Sequence, residues 1–174
     1  MVHYINNLIS MEDCNKLVIE FYNQKKIRYN ADMGDDASLN SSYGFKGYGE
    51  FSELLNSIKP IITKLNGGKK IKNVNAFVRE YKNNSVLKKH IDRPDIGITL
   101  SICLFSNIKN EWPLSAEYDG RVISHNIKTG DGLLIINSDK ISHWRDELVC
   151  DENECVIQLF LHWKESVIDK NNLI

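Results

Sequence analysis

Apolar positions follow two different periods along this chain. Leu17, Val18, Phe21 and Tyr22 recur with helical spacing after Ser10, a candidate N-cap, and after Glu12 and Asp13, which suit a first turn. The pattern predicts a helix over about 11–24. A second helical stripe runs through Phe51, Leu54, Leu55, Ile58, Ile61, Ile62 and Leu65, with Gly67 as a stop and Pro60 as a point of kinking. Between the two stripes, residues 28–50 are rich in Gly, Asp, Ser and Tyr and read as a long loop, a candidate lid at the mouth of a site.

After Gly68 the pattern changes to short runs of β-branched and aromatic residues: "KNVNAFVREYK", "IGITLSICLFS", "RVISHNIK", "GLLIIN", "KISHWRD" and "CVIQLFLHW". Turn material such as "KNNS", "NIKN" and "TGDG" separates them. Helices first and strands afterwards argue against interleaved βαβ units. They predict a mainly β protein with N-terminal helices: about seven or eight strands forming a sandwich, jelly roll or barrel, with the helices outside one sheet. No repeat or linker divides the chain. It is therefore read as one domain over 1–174, helical over about 1–68 and β over about 69–165.

Composition narrows the function classes. A net charge of −1 offers no global electrostatic attraction to nucleic acid or to a membrane surface. No apolar run approaches a membrane span. Cys14, Cys103, Cys150 and Cys155 form no CxxC pair and are read as reduced thiols. The first residues lack the pattern of a signal peptide. Together these lead to the expectation of a cytoplasmic protein. Nothing in the sequence signals an oligomeric state.

The chemistry is concentrated in "KKHIDRP", residues 88–94. His90 and Asp92 are two apart, so on an extended segment both side chains point the same way. Two imidazoles and one carboxylate on one face of an ion suit non-haem Fe(II), leaving the opposite face open. His143 in "ISHWRD" is the best third ligand, because the apolar strand "GLLIIN" before it would deliver it from the opposite sheet. A lone His-x-Asp also arises by chance, and His143 alone would pass for a hydrogen-bonded surface histidine. His125 and His162 are read as structural or supporting residues, and Trp112 and Trp144 as packing or as the lining of an entrance. Lys88, Lys89 and Arg93 make the rim basic.

The order of these parts resembles the Fe(II)/2-oxoglutarate-dependent oxygenases, in particular the small prolyl-4-hydroxylase-like branch, from roughly residue 50 to 163. The resemblance rests on HxD at His90 and Asp92, the distal His143, Tyr81 ahead of the motif, Asn84 in the intervening turn, Thr99 on the next strand, Gly130 and Asp131 before the distal strand, and "CVIQLFLHW". It implies a double-stranded β-helix (jelly roll, cupin-like) and a dioxygenase using Fe(II), 2-oxoglutarate and O2, with room for ascorbate. His90, Asp92 and His143 would hold the metal and carry catalysis. The substrate would be peptidyl, prolyl among the candidates, or a small molecule, hydroxylated with release of succinate and CO2. The retained Asp92 implies hydroxylation over halogenation. The chain departs from the family at one point. The basic residue expected on the last strand is missing, since no Lys or Arg lies between Asp146 and Trp163, and Glu154 stands near its place. Arg145, sharing the strand parity of His143, is the candidate anchor for the far carboxylate, with Tyr81 beside it and Arg121 as second choice. The alternative is a non-catalytic cupin-like protein that binds a metal or ligand.

Overall fold

The computed structural model describes residues 1–28 and 42–166. Among them run ten strands and two α-helices: β1 (Val2–Ile5), α1 (Met11–Ile27), β2 (Ser42–Gly47), α2 (Glu50–Leu65), β3 (Ile71–Tyr81), β4 (Leu87–His90), β5 (Ile98–Ser106), β6 (Leu114–Tyr118), β7 (Arg121–His125), β8 (Gly132–Ile136), β9 (His143–Arg145) and β10 (Val156–Glu165). They form a six-stranded sheet in the order β1-β8-β5-β10-β3-β2 and a four-stranded sheet in the order β4-β9-β6-β7. Every strand pair within the two sheets is antiparallel. The two sheets face each other as a jelly roll, and both helices lie on the outer face of the larger one.

The helices form where expected and run slightly longer. Ser10 Oγ accepts from the Asp13 amide at 3.0 Å and so caps α1. α2 buries Phe51, Leu55, Ile58 and Ile62 along one stripe and carries Pro60 in its interior. Phe21 of α1 stacks flat on Phe45 of β2, ring centroids 5.4 Å apart, which ties the helix layer to the sheet. Each such buried aromatic contributes roughly 2–3 kcal/mol.

Strands of the large sheet read as continuous apolar runs because they are buried on both faces. On β5, Ile98, Leu100, Ile102 and Leu104 pack toward the helices, while Thr99, Ser101 and Cys103 face between the sheets. On β10, Ile157, Leu159, Leu161 and Trp163 take the helix side, and Phe160 and His162 the inner side. The small residues on the inner face of β5 leave room for a cavity.

Two expectations about the N-terminal part need correction. Residues up to 68 are not only helical, and the segment read as a loop contains β2, which pairs with β3 through six residues. β1 likewise closes the other edge of the large sheet against β8. Both strands are short, and β2 is interrupted by Gly44 and Lys46, so neither shows a period on its own; pairing with long neighbours makes them strands. The rest of the supposed lid, 29–41, lies outside the described residues. β4 and β6 also escaped the apolar pattern, being short and partly exposed.

Turn geometry matches turn chemistry at the positions singled out. Asn84 adopts φ 67° between β3 and β4, in the left-handed region that Asn tolerates. Gly130 sits at φ 87°, where a Cβ would lie 2.9 Å from the Ile9 carbonyl oxygen. Its neighbour Asp131 accepts from Tyr4 Oη at 2.6 Å and from the Asn7 amide at 2.8 Å, fastening the N-terminal strand.

Candidate active site

β4 and β9 are neighbours in the small sheet, and their register sets His90 directly opposite His143. The apolar strand β8 does lie in the opposite sheet, but the chain crosses over after it, so both histidines belong to the same sheet. Their ring centroids are 4.3 Å apart. Asp92 follows two residues past His90, beyond the strand end, and its Oδ1 lies 3.7 Å from His143 Nε2. Ligand atoms of the three residues all fall within 4.8 Å of one another, a grouping of His, Cys, Asp or Glu donors not repeated among the described residues.

Each donor is oriented by a second contact. His90 Nδ1 lies 2.7 Å from the Lys88 carbonyl oxygen and His143 Nδ1 3.0 Å from that of Ile141. A carbonyl only accepts, so Nδ1 carries the proton in both rings and Nε2 keeps its lone pair for a cation. Thr99 Oγ1 donates to Asp92 Oδ2 at 2.5 Å. Burial lowers the His143 pKa; the Asp92 charge opposes this and the His90 charge reinforces it. A buried imidazole kept neutral is in its ligating form. Two neutral imidazoles and a carboxylate on one side of a point are the donor set of a facial 2-His-1-carboxylate iron site, so the residues fit Fe(II).

These groups open into a cavity of about 140 Å³ between the sheets. Phe77, Phe160, Leu87, Leu114 and Ile135 give it apolar walls, and Arg79, Tyr81, Ser101 and His162 add polar ones. Tyr81 therefore faces the site, as its position ahead of the HxD suggested. Arg145 is 2% exposed and is not in the cavity wall itself. Its guanidinium packs 4.4 Å from the Trp112 ring, which in turn meets Tyr81 edge-on at 5.0 Å. Nη1 donates to the Trp112 carbonyl, while Nη2 is buried without a hydrogen-bond partner. No carboxylate pairs with this cation among the described residues. Burial, partly offset by nearby Tyr81 and Cys103, brings its pKa down to about 10.

Several other residues have clear places. Arg121 opens the outer strand β7 and is exposed, outside the cavity. Glu154 lies in the connection before β10, its Oε2 accepting from the Asp151 amide. β10 begins only at Val156, and the inward polar residue there is Gln158, 1% exposed and bonded through Oε1 to Ser101. Trp112 packs inside with its indole nitrogen on the Asp146 carbonyl. Trp144 lies beneath Lys89, which pairs with Glu117. Arg93 pairs with Asp95, so the basic rim is partly neutralised. His125 packs against Tyr4 with the rings tilted and their centroids 5.0 Å apart, outside the cavity lining. His162 reaches the cavity wall and hydrogen-bonds Asn75 at 2.6 Å. The residue that sequence reasoning missed is Arg79, which lines the cavity and donates to Ser42 Oγ at 2.7 Å. Its parity with Tyr81, two residues on, was the available signal.

The sequence matches no protein-family model and no curated protein. Solved structures do match. The viral collagen prolyl hydroxylase vCPH from Paramecium Bursaria Chlorella virus-1, in its 2OG complex, aligns with a TM-score of 0.70 at 12% identity, over 95% of this chain and 96% of that one. HygX from Streptomyces hygroscopicus, with nickel, 2-oxoglutarate and hygromycin B bound, aligns at 0.71 and 9% identity, over 95% and 83%. This chain has the fold of the 2-oxoglutarate/Fe(II) oxygenases. SnoN, a non-heme alpha-ketoglutarate-dependent epimerase from nogalamycin biosynthesis, shares that oxygenase fold at a TM-score of 0.74 and 10% identity, over 94% and 77%. Within this fold, His90, Asp92 and His143 meet on the wall of the inter-sheet cavity.

Proposed function

We propose that this protein is an Fe(II)- and 2-oxoglutarate-dependent dioxygenase that hydroxylates a peptidyl or small-molecule substrate. The convergence of His90, Asp92 and His143 on one point in the wall of the inter-sheet cavity carries the reading. His90, Asp92 and His143 hold the metal. Bound Fe(II) with 2-oxoglutarate supplies an O2-dependent oxidation that releases succinate and CO2 and leaves one oxygen atom as a substrate hydroxyl.

The chain's own residues do the rest. Lys88 and Ile141 carbonyls keep the two imidazoles in the ligating tautomer. Apolar walls from Phe77, Phe160, Leu87 and Leu114 exclude water around the reacting groups. The far carboxylate of 2-oxoglutarate needs a cation at the inner end of the cavity. Arg145, packed behind the wall on Trp112, is the cation proposed for that role on the strength of its unpartnered Nη2, with Tyr81 standing in the cavity wall in front of Trp112. A peptide, prolyl or otherwise, and a compact metabolite both remain within the proposal, as does the reducing cytoplasm, where four free thiols persist.

The test is an anaerobic titration with Fe(II) and 2-oxoglutarate, followed by succinate release in air. Saturable binding of both, followed by succinate formation that is lost in His143→Ala, supports the reading. Metal binding without any 2-oxoglutarate affinity would favour a non-catalytic cupin-like binder, the alternative to which neutral Gln158 on β10 points.

A further inference from the structure

We propose that Ser138 and Thr99 form a hydrogen-bonded relay that commits one oxygen of Asp92 to the protein and leaves the other as a single, fixed donor. The inference rests on the metal-site reading above, and concerns which atom of Asp92 the protein offers.

Proton counting gives the relay its direction. Thr99 Oγ1 lies 2.5 Å from Asp92 Oδ2 and 3.2 Å from Ser138 Oγ. Threonine has one hydroxyl proton, and a carboxylate oxygen can only accept. The proton therefore points at Asp92, and the contact with Ser138 is made by the serine's own proton. Ser138 thus donates to Thr99, and Thr99 donates to Asp92. Thr99 is 4% exposed, on the cavity wall, and Ser138 is fully buried.

The same turn holds Asp92 a second way. The Asp92 amide donates to the Ser138 carbonyl at 3.0 Å, and the Ser138 amide donates to the Gly97 carbonyl at 3.1 Å. Asn137, at φ 63°, starts this turn and accepts from the amides of Lys140 and Ile141. Ile141 then supplies the carbonyl that orients His143. Thr99 itself sits on β5, paired with Ile135 of β8 and His162 of β10, in the middle of the large sheet. Asp92 extends from the small sheet and is tethered across the barrel to the large one.

A carboxylate turns about its last torsion with little preference, so without a partner its two oxygens exchange. The Thr99 bond removes that freedom. Oδ1 is left facing His143 Nε2 at 3.7 Å. One oxygen, rather than two, is then offered to a cation, which keeps coordination positions open for other ligands. Two buried hydroxyls that merely satisfied each other would explain the Thr99–Ser138 contact, but not the bond to Asp92.

Co(II) is the probe, because its visible absorption reports the ligand set and needs no turnover. In the full chain, Thr99→Val should weaken Co(II) affinity roughly 10- to 100-fold and alter the absorption bands. Thr99→Ser, which keeps the hydroxyl, should restore both. Ser138→Ala should give a smaller loss in the same direction. A purely structural role would lower stability in urea without moving the Co(II) spectrum, and that result overturns the proposal. So does a Thr99→Val protein with unchanged affinity and spectrum. If Thr99→Val fails to fold, Ser138→Ala decides: a weakened, altered Co(II) site supports the relay, and an unchanged one refutes it. Wild-type protein that binds no Co(II) removes the metal reading itself and the relay with it.

Discussion

His90 and His143 are 53 positions apart in the sequence, yet they are cross-strand partners in adjacent strands, ring against ring at 4.3 Å. Both present Nε2 because both lock Nδ1 onto a backbone carbonyl. Replacing His143 by Ala should abolish tight Fe(II) or Co(II) binding while leaving the metal-free protein folded. Isothermal titration with Co(II), alongside circular dichroism, checks both halves. Retained metal affinity would place the site elsewhere.

Arg145 is a buried cation with no carboxylate partner among the described residues, and that makes its substitution informative. A guanidinium with an orphan Nη2 destabilises the ligand-free fold. Arg145→Met should therefore raise metal-free stability by about 1–2 kcal/mol in urea. The same change should weaken 2-oxoglutarate binding roughly 10-fold to several hundred-fold, the loss of a charge-assisted pair. Metal affinity should stay within about twofold. Unaltered 2-oxoglutarate affinity would transfer the anchor role to Arg79, since exposed Arg121 stands outside the cavity.

Burial of His162 sets a pH dependence. Desolvation lowers its pKa from 6.5 to about 4, with the Asp92 charge pulling the other way. Between these values the unfolded chain holds a proton at this residue that the folded chain does not. The His162 contribution to stability is therefore complete above about pH 6.5 and falls as the pH drops toward 4. His162→Gln should remove this part of the acid sensitivity, worth roughly 2–3 kcal/mol between pH 7 and about 4.5. Urea unfolding of metal-free protein near pH 7 and about pH 4.5 measures it. Equal acid losses in the two proteins would contradict the assignment.

Two glycines separate strain from crowding. Gly130→Ala meets both a left-handed φ of 87° and the Ile9 carbonyl 2.9 Å away, and should cost about 2–4 kcal/mol. Gly120→Ala has φ 69° and open space around it, and should cost only about 1 kcal/mol. Thermal melts of the two variants rank them. A reversed order would mean that the β7–β8 connection relaxes freely.

Sequence alone determined what depends on local rules. Helical stripes and the Ser10 cap gave α1 and α2; continuous apolar runs gave the doubly buried strands β3, β5, β8 and β10. Two-residue parity put His90 and Asp92 on one side and gave Arg145 the parity of His143. Tertiary structure decided the rest. β1 and β2 are strands because of the edges they complete, a property of their neighbours rather than of their own residues. Placing His143 beside His90, Thr99 on Asp92 and Arg79 in the cavity wall required the crossover from β8 to β9 and the pairing of β3 with β2. No local period encodes those contacts, because they join residues far apart in the chain and are set by how two sheets close on one another.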